Sequence, residues 1–313
     1  MDRAADRISV IIPAWNAENE ISGAVESVLA TGYPFLEILL CVDGSKDGTL
    51  GEAHRIAREH SEVSVHTHRN GRNRGAACTR NLGLRHATGE FITFLDVDDR
   101  FLPNRLEECI PHLRADKELD GVFGKTRVEY LDGADLAKWG GKKSIGFVAD
   151  EQDEILRRVA RGQCWHLDAL TLRKRAVQKA GYMKGDLRLG QDVEWFIRLA
   201  SVCTLKSLVG PEPVAVYRRH GRNRSGPGKA PEQMNRVVKS ACDWLKSNGY
   251  QEQASRVRGS YIPSLFDRAG LFLEEKQSRK AAGLLLTGAL AFPRIAVSRL
   301  YFRMLARAVW GGA

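Results

Sequence analysis

No apolar run in this chain is long enough to cross a bilayer as a helix. The longest candidate, 281–292, falls short of the roughly 20 residues a span needs, and Thr287 interrupts it. Asp2, Arg3, Asp6 and Arg7 precede the first apolar stretch, so a signal-peptide core is missing as well. The six cysteines, at 41, 78, 109, 164, 203 and 242, show neither Cys-x-x-Cys nor Cys/His ligand spacing. Neither a zinc site nor a disulfide framework is indicated, and free thiols in a reducing compartment are expected. No Gly-x-Gly-x-x-Gly opens a helix after the first strand, which argues against a dinucleotide oxidoreductase. Nor does any recognised nucleic-acid motif accompany the basic residues, so no nucleic-acid partner is expected.

What is present is the composition of an ordinary globular protein: 313 residues, 43% hydrophobic and 27% charged, enough for one large or two medium domains. The net charge of +10 is unevenly placed. Residues 221–313 hold 16 Lys/Arg against 6 Asp/Glu, whereas residues 1–220 hold 32 of each, so the whole excess is C-terminal.

The first hundred residues alternate strand and helix patterns. Residues 7–13 form a β-branched run ended by Pro13, and 18–30 have helical periodicity. Residues 35–42 read as a second strand, broken by Asp43-Gly44-Ser45-Lys46-Asp47-Gly48-Thr49 before a helix to His60. Residues 63–68 alternate as a third strand. A glycine-rich polar loop, 70–75, then leads into a helix beginning at Ala76. This β-α-β-α-β order predicts a parallel sheet that binds a nucleotide at its strand tips.

Residues 91–99, Phe-Ile-Thr-Phe-Leu-Asp-Val-Asp-Asp, read as a buried strand ending in three carboxylates within four residues. Like charges that close repel unless a cation or ligand holds them, and Mg²⁺ or Mn²⁺ takes such oxygens together with substrate phosphates. The plainer alternative is that Asp98 and Asp99 cap the following helix.

Four stretches in order, Val10-Ile11-Ile12-Pro13-Ala14-Trp15-Asn16, residues 42–49, Thr79-Arg80-Asn81-Leu82-Gly83 and Phe94-Leu95-Asp96-Val97-Asp98-Asp99, resemble the family 2 glycosyltransferases. Val42 and Cys78-Thr79 depart from the family's pattern. The resemblance implies a GT-A fold, an α/β nucleotide-binding sheet with an acceptor-side region, and an inverting transfer from a nucleotide-diphosphate sugar. A UDP-sugar is favoured, and Mg²⁺ or Mn²⁺ is the implied cofactor. It further implies that Pro13, Ala14, Trp15, Asn16, Asp43, Gly44, Ser45, Arg80, Asp96, Val97 and Asp98 bind the donor.

The resemblance continues to Gly190-Gln191-Asp192-Val193-Glu194-Trp195, similar to the family's acceptor-side motif. There Asp192 is the implied general base, Glu194 its rival, and Trp195 an acceptor-side residue. An aspartate at a helix start is otherwise explained by the unpaired N–H groups it faces. Residues 214–220, ending Tyr217-Arg218-Arg219-His220, resemble the family's closing segment, which makes His220 a metal ligand beside Asp96 and Asp98. Residues 131–147 read as an irregular insertion whose Trp139 either meets an acceptor or anchors the loop. A pseudoenzyme that only binds sugar nucleotides is the alternative within the family, and the intact carboxylates argue against it. The acceptor is open among glycan, lipid-linked, peptide and small-molecule hydroxyls.

The expected domains are 1–225, with a nucleotide-sugar half at 1–100 and an acceptor half at 101–225, and a helical region at 226–313. Within 101–225, residues 151–161 and 174–180 look helical. After a breaker-rich linker at 221–228, residues 232–248, 251–276, 278–291 and 294–310 read as helices, packed as hairpins, with Pro263 kinking or splitting the second. Arg299, Arg303 and Arg307 share one face of the last. Such a basic, partly apolar helix is either a solvated face on a packed hairpin or an attachment to an anionic membrane surface; a cytoplasmic protein is expected, peripheral to the inner face in the second case.

Overall fold

The computed structural model describes residues 7–310 except 132–140, 188, 209, 211 and 222–230. Trp139 and most of the expected insertion and linker therefore lie outside the described residues.

A mixed seven-stranded sheet organises the molecule. Strands β1 (Ile8–Ala14), β2 (Leu36–Val42), β3 (Val63–Thr67) and β4 (Phe91–Phe94) are parallel, in the order β3-β2-β1-β4. Every residue of β2 and β4 is buried; most are apolar, and the exceptions are partnered, Glu37 accepting from Thr88 and Thr93 donating to the Leu170 carbonyl. Helices α1 (Ile21–Leu29), α2 (Thr49–Glu59) and α3 (Ala76–His86) make the crossovers. After the short strand β5 (Arg100–Phe101) and α4 (Arg105–Ala115), the chain adds β6 (Gly121–Phe123) to the sheet.

Between β4 and β6 lies a later strand, which runs antiparallel to both. Strands β7 (Thr126–Tyr130) and β8 (Ser144–Ile145) precede α5 (Gln152–Ala160); the inserted strand is β9 (Leu170–Arg173), followed by α6 (Lys174–Ala180). Helix α7 (Gln191–Val202) leads to β10 (Leu205–Ser207), which pairs in parallel with β6 at the sheet's edge. Strand β11 (Ala215–Arg219) joins β5, β7 and β8 in a second sheet of order β5-β11-β7-β8. Asp120, fully buried at the start of β6, ties this half together: it accepts from Arg175 Nε (2.6 Å), Lys179 Nζ (2.7 Å) and the Thr204 amide (2.9 Å).

Helices α8 (Pro231–Ser247), α9 (Gln251–Glu274), α10 (Ser278–Ala291) and α11 (Arg299–Trp310) follow. They share one apolar core with the sheet, which reaches from Ile11 and Phe94 through Trp195 to Val238, Leu265 and Leu285. A buried polar knot locks three of them. Tyr261 Oη donates to Asn235 Oδ1 (2.6 Å), and Asn235 Nδ2 donates to the Leu284 carbonyl and to Thr287 Oγ1.

Two expectations about the tail need correction. Pro263 does not split α9, which is continuous from Gln251 to Glu274. The expected helix 294–310 is instead a 3₁₀ turn, Pro293–Val297, and α11, divided at Ser298. The Ser298 side chain accepts the Tyr301 amide (3.1 Å), so a serine that looked like a helical residue acts as a new N-cap.

Candidate active site

The carboxyl ends of β1 and β4, the start of α3 and the start of α7 meet around a cavity of about 550 Å³. Pro13, Ala14, Trp15 and Asn16 line it from the β1–α1 turn, with Asp43 from the end of β2, Arg80 from α3 and Asp96, Val97 and Asp98 from the acidic turn. Asp192 reaches the same cavity from the first turn of α7, where the helix's unpaired N–H groups favour a carboxylate. His220 lines it too, with Nε2 3.1 Å from Asp98 Oδ2.

Residues quoted in the sequence motifs prove to be the joints of this site. Asp43 is buried and accepts the Arg74 and Gly75 amides at 2.7 and 2.8 Å, so both its oxygens hold the 70–75 loop. Arg80 forms an ion pair with Asp96. Asn81 exchanges two hydrogen bonds with the Met183 backbone (2.7 and 3.0 Å), which fastens α3 to the loop before Asp192. Gly83 has to be small, because a Cβ there would stand 2.5 Å from Ile11 Cγ2. Gly190 adopts φ +76°, a left-handed conformation only glycine takes cheaply, immediately before α7.

Four expected site residues are placed otherwise. Gly44 and Ser45 do not line the cavity. Gly44 packs on the backbone of 71–73, where a Cβ would lie 2.5 Å from the Asn73 nitrogen, and Ser45 Oγ accepts the Asn16 amide (3.0 Å). They hold the wall rather than form it. Glu194 and Trp195 are both fully buried, so neither faces an acceptor. Two positions on from Asp192 the helix has turned by about 200°, which points Glu194 away from the cavity. Trp195 donates from its ring nitrogen to the Gly181 carbonyl (2.8 Å) and packs edge-on against Phe94. Glu194 pairs with Arg198, whose guanidinium also donates to the Ala180 and Tyr182 carbonyls.

The sequence reading missed His166 and Asp168. His166 lines the cavity and stacks on Tyr217 with ring centroids 4.3 Å apart. Asp168, fully buried in the turn before β9, accepts the Asp96 amide (3.0 Å) and lies 3.1 Å from His166 Nδ1. Only a His-x-Asp spacing marks them, and no nearby motif draws attention to it. Asp99, grouped with the other carboxylates by sequence, turns inward to accept the Arg218 amide (2.7 Å).

The electrostatics follow from this crowding. Burial, reinforced by Asp168, Asp98 and Asp96, lifts the Asp99 carboxyl well above its ordinary range. Burial also lifts Asp96, against the pull of Arg80. For His166 burial disfavours the charged ring, but Asp168, Asp96 and Asp192 together outweigh it and raise its pKa. The site thus carries more carboxylates than cations to balance them.

Such a donor set suits a divalent cation of the Mg²⁺ or Mn²⁺ kind. Among the described residues, Asp96, Asp99 and His166 offer ligand atoms within 4.8 Å of one another, and the buried Asp99 Oδ2 and Asp168 Oδ2 make no hydrogen bond of good geometry.

Residues 9–153 match the family model described as Glycosyl transferase family 2. Over that stretch, a little under half of its length, the chain is similar to glycosyl transferase family 2. Over 100 residues it is 40% identical to the UDP-Glc:alpha-D-GlcNAc-diphosphoundecaprenol beta-1,3-glucosyltransferase WfgD of Escherichia coli, covering 32% of this chain and 38% of that protein. Over 130 residues it is 33% identical to the chondroitin synthase of Pasteurella multocida, covering 42% of this chain and 13% of that one. The matched stretch is therefore well under half the length of either relative. Among solved structures, S. aureus TarS 1-349 in complex with UDP-GlcNAc superposes with a TM-score of 0.66 at 16% identity, covering 97% of this chain and 92% of that one. The mannosyltransferase PcManGT from Pyrobaculum calidifontis, in complex with GDP-Man and Mn²⁺, gives 0.57 at 18% identity, over 98% and 88%. At these identities the chain shares their GT-A fold, and the structures speak to that fold alone.

Proposed function

We propose that this protein transfers a single sugar from a nucleotide-diphosphate sugar, a UDP-sugar for preference, to an acceptor hydroxyl with inversion, and that Asp192 is the general base. The observation carrying the reading is that Asp192, borne on α7, and the strand-end carboxylates Asp96 and Asp98 line one cavity. At about 550 Å³ that cavity is within the range of small-molecule and cofactor sites.

On this reading the Pro13–Asn16 turn and Asp43 hold the base and ribose, and the half-exposed Trp15 ring offers the base a flat face. Asp96 and Asp98, with His220 beside Asp98, would hold the divalent ion. Bound there, such an ion neutralises charge on the departing diphosphate. Arg80 adds fixed positive charge near the same oxygens. Asp192 takes the proton from the acceptor O–H as that oxygen forms its bond to the anomeric carbon. The bond from that carbon to the diphosphate breaks, and its electron pair leaves with the nucleoside diphosphate.

The acceptor is the less constrained partner. The diphosphoundecaprenol in the name of the Escherichia coli relative supports a lipid-linked hydroxyl here. The six free thiols support a reducing, cytoplasmic setting, and among the described residues no helix is long and apolar enough to cross a membrane.

Calorimetry of UDP binding with and without Mn²⁺ tests the donor side. The wild-type protein is expected to bind more tightly with the ion, and Asp98→Ala to lose that difference. If Asp98→Ala and Asp96→Ala both keep the full metal-dependent gain, these carboxylates do not hold the ion.

A further inference from the structure

The terminal hairpin carries a surface that the transferase reading does not use. Leu290 is 80% exposed, Val297 81%, Trp310 77% and Phe302 60%, with Leu300 and Val309 about half exposed. Scattered exposed apolar residues are ordinary on a soluble protein. Six within 21 residues of one hairpin are not scattered. They sit where α10 ends, along the 3₁₀ turn and on the outer side of α11, whose Tyr301 and Ala308 face the core.

Charge decides what covers them. Residues 277–313 contain six Lys/Arg and no Asp/Glu, so the hairpin holds no acidic partner of its own for Arg294, Arg299, Arg303 and Arg307. On α11, at 100° per residue, the three arginines Arg299, Arg303 and Arg307 span an arc of about 80° on the face away from Tyr301. Trp310 falls inside that arc, Leu300 borders one edge, and Phe302 with Val309 lie beyond the other. A second copy docking through the same surface would bring these arginines against their equals. An anionic leaflet instead offers phosphates to the guanidinium groups and hydrocarbon to the side chains between them.

We propose that α11 and the tip of the α10–α11 hairpin form a peripheral docking surface for anionic phospholipid. The apolar side chains enter the headgroup boundary, and Arg294, Arg299, Arg303 and Arg307 bind lipid phosphates. Phe302, Val309 and Trp310 supply the part of the binding that salt does not screen. The inference rests on the hairpin alone and stands whether or not the cavity carries out transfer.

Co-sedimentation of the whole protein with vesicles tests it. Binding is expected to phosphatidylglycerol-containing vesicles at low salt and not to pure phosphatidylcholine, falling as salt rises. Arg299→Glu/Arg303→Glu/Arg307→Glu should cut the partition coefficient by about 100-fold or more. Phe302→Ser/Trp310→Ser should weaken it while retaining the salt dependence. These positions are exposed, so both variants should keep the wild-type melting temperature, and a variant that does not is replaced by Arg299→Gln/Arg303→Gln/Arg307→Gln. Equal partitioning of wild type and the charge variants, or no binding by the wild type at low salt, overturns the proposal. So does sedimentation equilibrium in which the wild type self-associates through this face and Phe302→Ser/Trp310→Ser is monomeric.

Discussion

Asp192→Asn is expected to lower turnover by about 10² to 10⁴, with melting temperature and UDP affinity unchanged. The amide is nearly isosteric with the carboxylate but cannot take the acceptor's proton, so the loss falls on chemistry rather than binding. The surroundings make this a clean substitution. Asp192 is partly exposed on the cavity wall. The loop before it is braced independently, by Asn81 on Met183, by Arg198 on the Ala180 and Tyr182 carbonyls, and by Lys184 on Ser240. Steady-state kinetics beside a thermal melt check it. Near-normal turnover in a folded variant would move the base elsewhere.

The neighbouring carboxylate should behave in the opposite manner. Glu194→Ala is expected to destabilise the protein by about 3–5 kcal/mol, because it leaves the fully buried Arg198 charge without its partner. Burial raises the pKa of Glu194 even against Arg198, a sign that the pair is costly to bury and costlier to break. Replacing both with apolar residues, Glu194→Met/Arg198→Leu, should therefore recover much of the loss. Urea denaturation of the three proteins checks it. A Glu194→Ala protein as stable as wild type, yet inactive, would give Glu194 the chemical role it is denied here.

This contrast shows where sequence reading reached its limit. Periodicity and turn chemistry marked β1 to β4 with α1 to α3, because each is local: β-branched or apolar runs ended by Pro13, by Asp43-Gly44 or by the carboxylates. The acidic turn was visible for the same reason, as charges standing where a buried element ends, whereas Asp192 stood out only through the resemblance of residues 190–195 to an acceptor-side motif. Glu194 and Trp195 look equally functional in one dimension, and only the register of α7 turns them into the core. Asp168 and His166 were invisible because their meaning is tertiary. β9 enters the sheet antiparallel between β4 and β6, and that long-range pairing sets Asp168 under the Asp96 amide. Likewise Ser298 gives no sign in sequence that it starts a helix rather than continuing one.

The central claim is that one cavity activates a nucleotide-diphosphate sugar beside a waiting base. It is tested most directly without any acceptor, by measuring nucleoside diphosphate released from UDP-glucose, UDP-N-acetylglucosamine, UDP-galactose and GDP-mannose with Mn²⁺ present. Slow release from at least one UDP-sugar is predicted, abolished by a chelator and by Asp98→Ala. A folded protein that neither binds nor hydrolyses any of the four, with or without the metal, would contradict it.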